Sequence, residues 1–114
     1  VVTLQIWDTA GQDDLKNMTQ LHYNGSHAVV IVCSVDKIQT FKSIDNYKNI
    51  VDSLCGNDVI VALAGNKCDL QSERRVSFDD LTQKSEELDC MYFETSAMAD
   101  KRDTIEDMFN EIII

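Results

Sequence analysis

The stretch AVVIVCSVDKIQTFKSIDNYKNIVDSLCGNDVIVALA, running from Ala28 to Ala64, decides the fold. It opens on the unbroken apolar run Ala28 to Cys33 and closes on a second, Val59 to Ala64, both short and rich in β-branched residues. Runs without polar alternation are the pattern of parallel strands buried on both faces. Between them Ile38, Phe41, Ile44, Tyr47, Val51 and Leu54 recur every three or four residues, which predicts one amphipathic helix lying across a sheet face. Strand, helix and strand in that order make a βαβ unit with parallel strands.

Outward from this unit, Val1 to Trp7 and Met91 to Phe93 read as further strands. Ser77 with Asp80 three residues later has the form of a capping box, and it precedes a helix whose expected buried stripe is Phe78, Leu81 and Leu88. Thr104 with Asp107 repeats the device ahead of Ile105, Met108, Phe109, Ile112 and Ile113. The alternation of strands and helices specifies an α/β fold, a doubly wound, mostly parallel sheet with helices on both faces.

The chain has 114 residues, 44% of them hydrophobic, which is enough for one core and too little for two, so residues 1–114 are read as one domain. Twenty acidic residues against ten basic ones give a net charge of −10, which opposes nonspecific binding to nucleic acid or anionic lipid. No nucleic-acid partner is expected. No apolar run approaches membrane-spanning length. Cys33, Cys55, Cys68 and Cys90 form no C-x-x-C pair, so neither a zinc site nor a redox motif is indicated, and reduced thiols in a cytosolic protein fit. Cys33 is read as a small buried apolar residue, and His22 and His27 have no neighbours at metal-ligand spacing.

Three motifs follow three of the strands: Trp7-Asp8-Thr9-Ala10-Gly11-Gln12, Asn66-Lys67-Cys68-Asp69 and Glu94-Thr95-Ser96-Ala97. Ligands of open α/β sheets bind beyond the carboxyl ends of the strands, so all three fall on one edge of the domain. WDTAGQ, NKCD and ETSA, in this order and spacing, resemble the Ras superfamily of small GTPases. LQIWDTAGQ, GNKCDL and FETSA are most similar to its Rab branch, and the likeness runs through essentially the whole chain.

The resemblance implies a P-loop NTPase type of fold and a switch in vesicle traffic that binds GTP or GDP with Mg2+ and hydrolyses GTP. It places the Asp69 carboxylate on the adjacent N–H donors of guanine, and the Ala97 backbone N–H, in the loop begun by Ser96, on the guanine carbonyl. Asn66 would brace that loop and the Lys67 stem would lie along the base. Asp8 would hold a magnesium-bound water, Gly11 would let the backbone approach a γ-phosphate, and Gln12 would orient the attacking water. Trp7 and Tyr23 resemble the aromatic positions at which Rab proteins meet effectors, although packed aromatics fit them equally well. A cytoplasmic protein, peripheral to endomembranes if a lipidated tail exists, is the implied location.

The sequence also departs from the family pattern. Nothing in it matches G-x-x-x-x-G-K-[ST], the loop that cradles phosphates. The family's mid-sheet first strand has no counterpart either, which would leave two open strand edges that a strand-swapped or complementing partner chain could fill. Met98 stands where the family usually has Lys, Asp13-Asp14-Leu15 replaces Glu-Arg-Phe, and no prenylated cysteine tail follows Ile114. The domain is therefore expected to be partial, the isolated chain inactive and without a membrane anchor of its own. The alternative is a degenerate pseudo-GTPase that serves as a protein-interaction module.

Overall fold

The computed structural model describes residues 4, 6, 27–55, 59–98 and 101–113. The described elements are β1 (Ala28–Ser34), α1 (Ile38–Lys42), α2 (Ile44–Cys55), β2 (Ile60–Asn66), a 3-10 turn (Gln71–Glu73), α3 (Phe78–Glu87), β3 (Met91–Glu94) and α4 (Arg102–Ile113). The expected strand Val1 to Trp7 lies outside the described residues, apart from Leu4 and Ile6.

The three strands form one parallel sheet in the order β1-β2-β3. Ala28 pairs with Ile60 and Ser34 with Asn66, while Gly65 pairs with Glu94. Parallel strands in this register bring Ser34, Asn66 and Glu94 to one edge of the sheet, the position a ligand site of an α/β domain takes.

Strand residues alternate between faces. Ile31 and Cys33 of β1 and Leu63 of β2 face one core with Ile44, Val76 and Leu81, joined by partly buried Phe41, Tyr47 and Tyr92. The opposite face carries Ala62 and Ala64, also buried, and α4 packs against β3 with Met108 buried. The α/β architecture with helices on both sheet faces is thus as the sequence predicts. Cys33 is fully buried, as expected of a small apolar residue, and burial pushes its thiol up from the ordinary cysteine value.

Four local expectations are corrected. β2 is buried on both faces, but Val32 in the middle of β1 is 56% exposed, because no described strand or helix covers that side of it. The single helix expected from Ile38 divides at Ser43, whose hydroxyl donates back to the Gln39 carbonyl at 3.0 Å, a bond that bends helices. Backbone bonds from Ser43 to Gln39 and from Tyr47 to Ser43 carry the helical spacing through that bend, and Ile38 in the first turn is exposed. Phe78, expected in the core, is exposed as the first residue of α3 and meets the Tyr92 ring edge-on at 5.7 Å between centroids. Thr104 does not cap α4, which begins two residues earlier, and it has a different task described below.

Ser77 does cap α3, its side chain accepting from the Asp80 N–H at 3.0 Å. The other end of α3 closes in a Schellman arrangement: the Asp89 N–H donates to Glu86 and the Cys90 N–H to Ser85. That turn requires a left-handed residue, and Asp89 supplies it at φ 52°, where glycine is the unstrained choice. Asp89→Gly is expected to raise the urea midpoint by the equivalent of up to about 1 kcal/mol, and Asp89→Val to lower it. A lowered midpoint for the glycine variant would show that the Asp89 side chain stabilises the turn beyond its backbone strain.

Candidate functional site

The sheet edge is built by the chain leaving β2 and β3. β2 ends at Asn66, and Lys67 turns the backbone out at φ 64°, a left-handed conformation that non-glycine residues rarely adopt and that concentrates at functional loops. The next residues fold back on themselves, the Leu70 N–H donating to the Lys67 carbonyl at 2.9 Å. β3 ends at Glu94, and Thr95 and Ser96 go straight into the interior, 3% and 1% exposed. Buried hydroxyls need partners, and each finds one on the other loop.

The Thr95 hydroxyl donates to the Asn66 side-chain oxygen at 3.1 Å, and the Ser96 hydroxyl donates to Asp69 Oδ1 at 2.5 Å. The Met98 N–H donates to the same Ser96 oxygen at 3.2 Å. Backbone bonds run beside them, from Cys68 N–H to the Thr95 carbonyl at 3.1 Å and from Thr95 N–H to the Gly65 carbonyl at 2.9 Å. Thr104 completes the set: its hydroxyl accepts from the Ser96 N–H at 3.0 Å and donates to the Lys101 carbonyl at 2.6 Å, tying the second loop to the start of α4. The reading of Thr104 as a helix cap found the right kind of hydroxyl, but the N–H it satisfies is eight residues back.

Asn66, Lys67, Asp69, Ser96 and Ala97 are therefore brought together by the fold. Ser96 holds Oδ1, and no hydrogen bond among the described residues reaches Asp69 Oδ2. No hydrogen bond among the described residues uses the Ala97 N–H, and Ala97 is exposed. Asp69 thus offers a carboxylate at this edge, and Ala97 follows directly on the serine that holds it. Asp8, Gly11 and Gln12, with Trp7 and Tyr23, lie outside the described residues, so the magnesium and the attacking water have no described site.

The third strand end contributes Asp36 just past β1. The Ser34 hydroxyl donates to its carboxylate and holds it below the usual carboxylate range, with the Lys67 charge acting in the same direction. Thr40 accepts from the Ser34 N–H at 2.9 Å, and the Val35 N–H donates to the Asn66 carbonyl at 3.0 Å, so the end of β1 is fixed to the same edge.

Sequence reasoning did not find the group that braces the edge from below. Arg74 reaches across to Glu94, Nη1 to Oε1 at 2.9 Å and Nη2 to Oε2, while Tyr92 Oη donates to the same Oε2. Burial alone would raise the Glu94 carboxyl, but the hydrogen bonds from Arg74 and Tyr92 and the Arg74 charge hold it below the ordinary glutamate value. Burial and the Glu94 bond push the Tyr92 hydroxyl well up. No local pattern announces a pair separated by twenty residues.

A family model for the Ras family matches residues 1–114. Among proteins of known name, the chain is 40% identical over 96 residues to Ras-related protein Rab-1C of Dictyostelium discoideum, covering 84% of this chain and 48% of that one. It is 37% identical over 108 residues to Ras-related protein Rab-4 of the same organism, covering 95% and 52%. Against human Ras-related protein Rab-19 it is 36% identical over 109 residues, covering 95% and 49%. The chain spans about half the length of these curated relatives.

The Glu94 carboxyl generates a pH dependence. Its folded value is depressed, so the unfolded state binds the proton more readily, and the stabilisation is present above the unfolded value and lost as pH falls through the folded one. The urea midpoint of the parent chain is expected to exceed that of Glu94→Gln at neutral pH, with the gap closing as pH drops below about 4. A gap independent of pH would remove the ionised carboxylate from the account.

Proposed function

This chain belongs to the Ras family, and on that premise we propose that it supplies the guanine-binding side of a GTP-binding and GTP-hydrolysing molecular switch of the Rab type, acting in vesicle traffic. The observation that carries the reading is the Asp69 carboxylate, anchored on Oδ1 by the Ser96 hydroxyl at 2.5 Å, the residue immediately before Ala97. Guanine offers a ring N–H next to an exocyclic amino group, which one carboxylate accepts together, and its carbonyl accepts from a backbone N–H. Adenine lacks that edge. Lys67, held by its left-handed backbone, would lay its stem along the base, and Asn66 would keep the loop on Thr95.

The remaining roles follow the family. Asp8 would hold Mg2+ through water, Gly11 would approach the γ-phosphate, and Gln12 would orient the attacking water. Magnesium, when bound, neutralises charge on the phosphates. Effectors and regulators would meet the protein at the surface of Trp7 and Tyr23. Among the described residues no helix is long and apolar enough to cross a membrane, and peripheral association with endomembranes is the proposed mode.

Two substitutions test the two halves of the reading. Asp69→Asn replaces an acceptor with a donor opposite the guanine amino group, so competition between GTP and XTP is expected to move at least about tenfold toward XTP, in line with the loss of a charge-assisted pair. Gln12→Leu is expected to slow single-turnover hydrolysis while leaving GTP affinity nearly intact. An unchanged GTP-to-XTP ratio would detach Asp69 from the base, and the pseudo-GTPase reading would then be the better one.

A complementing partner belongs to the same proposal. The outer edge of β1 has no neighbour among the described strands, and Val32 beside it is exposed. Open edges recruit strands. Sedimentation of the purified 114-residue chain is expected to show self-association through that edge. A compact monomer that unfolds cooperatively would mean that β1 needs no added strand.

A further inference from the structure

Arg74 lies five residues after Asp69 on the segment leaving the first loop, and Glu94 is the last residue of β3, immediately before Thr95 and Ser96. Their side chains are 13% and 24% exposed. The guanidinium grips both carboxylate oxygens, and its Nε donates to the Val76 carbonyl at 2.6 Å, so the planar fork is fixed at each of its three nitrogens. The backbone on its C-terminal side is pinned too, the Arg75 and Val76 N–H groups both donating to the Val35 carbonyl at 2.8 and 3.0 Å. The clamp thus joins the exit of the first loop, the entry of the second and the end of β1.

Tyr92 closes the clamp against β2. Its hydroxyl donates to Glu94 Oε2 and lies over Gly65, where an added Cβ would meet the phenol oxygen at 2.6 Å. Gly65 immediately precedes Asn66, so Tyr92 cannot shift toward the strand without striking the backbone that launches the first loop. A bidentate ion pair constrains orientation as well as distance, which a lysine at the same position would not do.

We infer that Arg74 is a positioning residue for the base site: by holding Glu94 in a two-pronged clamp with Tyr92, it sets the spacing between the Asp69 carboxylate and the Ala97 N–H, and so sharpens discrimination among purine bases. The inference rests on the guanine reading of Asp69. The inner bonds, from the Thr95 and Ser96 hydroxyls and from the Cys68 and Thr95 N–H groups, join the loops beyond Glu94. The outer clamp adds a two-pronged, orientation-specific tie at Glu94 itself, where the second loop begins.

The test is an NMR titration of the 114-residue chain with GDP and with IDP, which differs from GDP only in lacking the 2-amino donor that Asp69 would accept. Three variants are compared with the parent: Arg74→Lys and Tyr92→Phe, both conservative enough to keep the fold, and Asp69→Asn as the control for the reading itself. Arg74→Lys is expected to compress the GDP-over-IDP preference by about fivefold, with Tyr92→Phe intermediate, because a monodentate cation restores charge without orientation. A role confined to stability would lower the melting temperature and leave that preference intact, and an intact preference in both variants overturns the inference while Asp69→Asn still abolishes it. If Asp69→Asn also keeps the preference, the guanine reading fails and the inference falls with it.

Discussion

The parallel register of β1, β2 and β3 is the constraint on which the described structure depends. Ser34 opposite Asn66 and Glu94 opposite Gly65 bring three chain exits to one edge, and the bonds of Thr95 and Ser96 to Asn66 and Asp69 are made between two of them. A parallel sheet needs helical crossovers, and these cover its faces, so the strand interiors are apolar and the polar residues are concentrated where the strands stop. The carboxyl edge is where backbone groups leave the ladder and must find new partners. Thr95, Ser96 and Thr104 supply them.

The edge is held by two layers of polar contacts. The inner layer is neutral or singly charged, hydroxyl to amide and hydroxyl to carboxylate, and it fixes the residues that would face a ligand. The outer layer is the partly buried ion pair of Arg74 with Glu94, to which Tyr92 and the Val76 carbonyl add hydrogen bonds. A buried ion pair is a weak source of stability, since desolvation offsets much of its attraction, whereas its directional bonds specify geometry. That difference favours assigning the outer layer to the placement of the loops.

The chain's Ras-family membership and the proposed base site at its sheet edge concern different properties. Membership rests on the match over residues 1–114 and on relatives about twice as long as this chain. The proposed base site rests on Asp69, held by Ser96, and on the loop that continues into Ala97. In the proposed function base reading and phosphate chemistry would be separable, one assigned to the loops after β2 and β3 and the other to Asp8, Gly11 and Gln12.

The sequence by itself determined the three described strands and the order in which helices alternate with them. Apolar runs at Ala28 to Cys33 and Val59 to Ala64 flanking a 3.6-residue stripe leave little alternative to a βαβ unit, and the Ser77 cap is written in adjacent residues. NKCD and ETSA were legible for the same reason, since each is a short contiguous string. Tertiary structure alone decided what those strings touch. The Arg74–Glu94–Tyr92 clamp, the Thr104 bond to Ser96 and the approach of Tyr92 to Gly65 join residues far apart in the chain, and local patterning carries no information about such pairs. The exposure of Val32 and Phe78 was hidden for a related reason: periodicity states which residues share a face, and only the neighbours that arrive from elsewhere decide whether that face is covered.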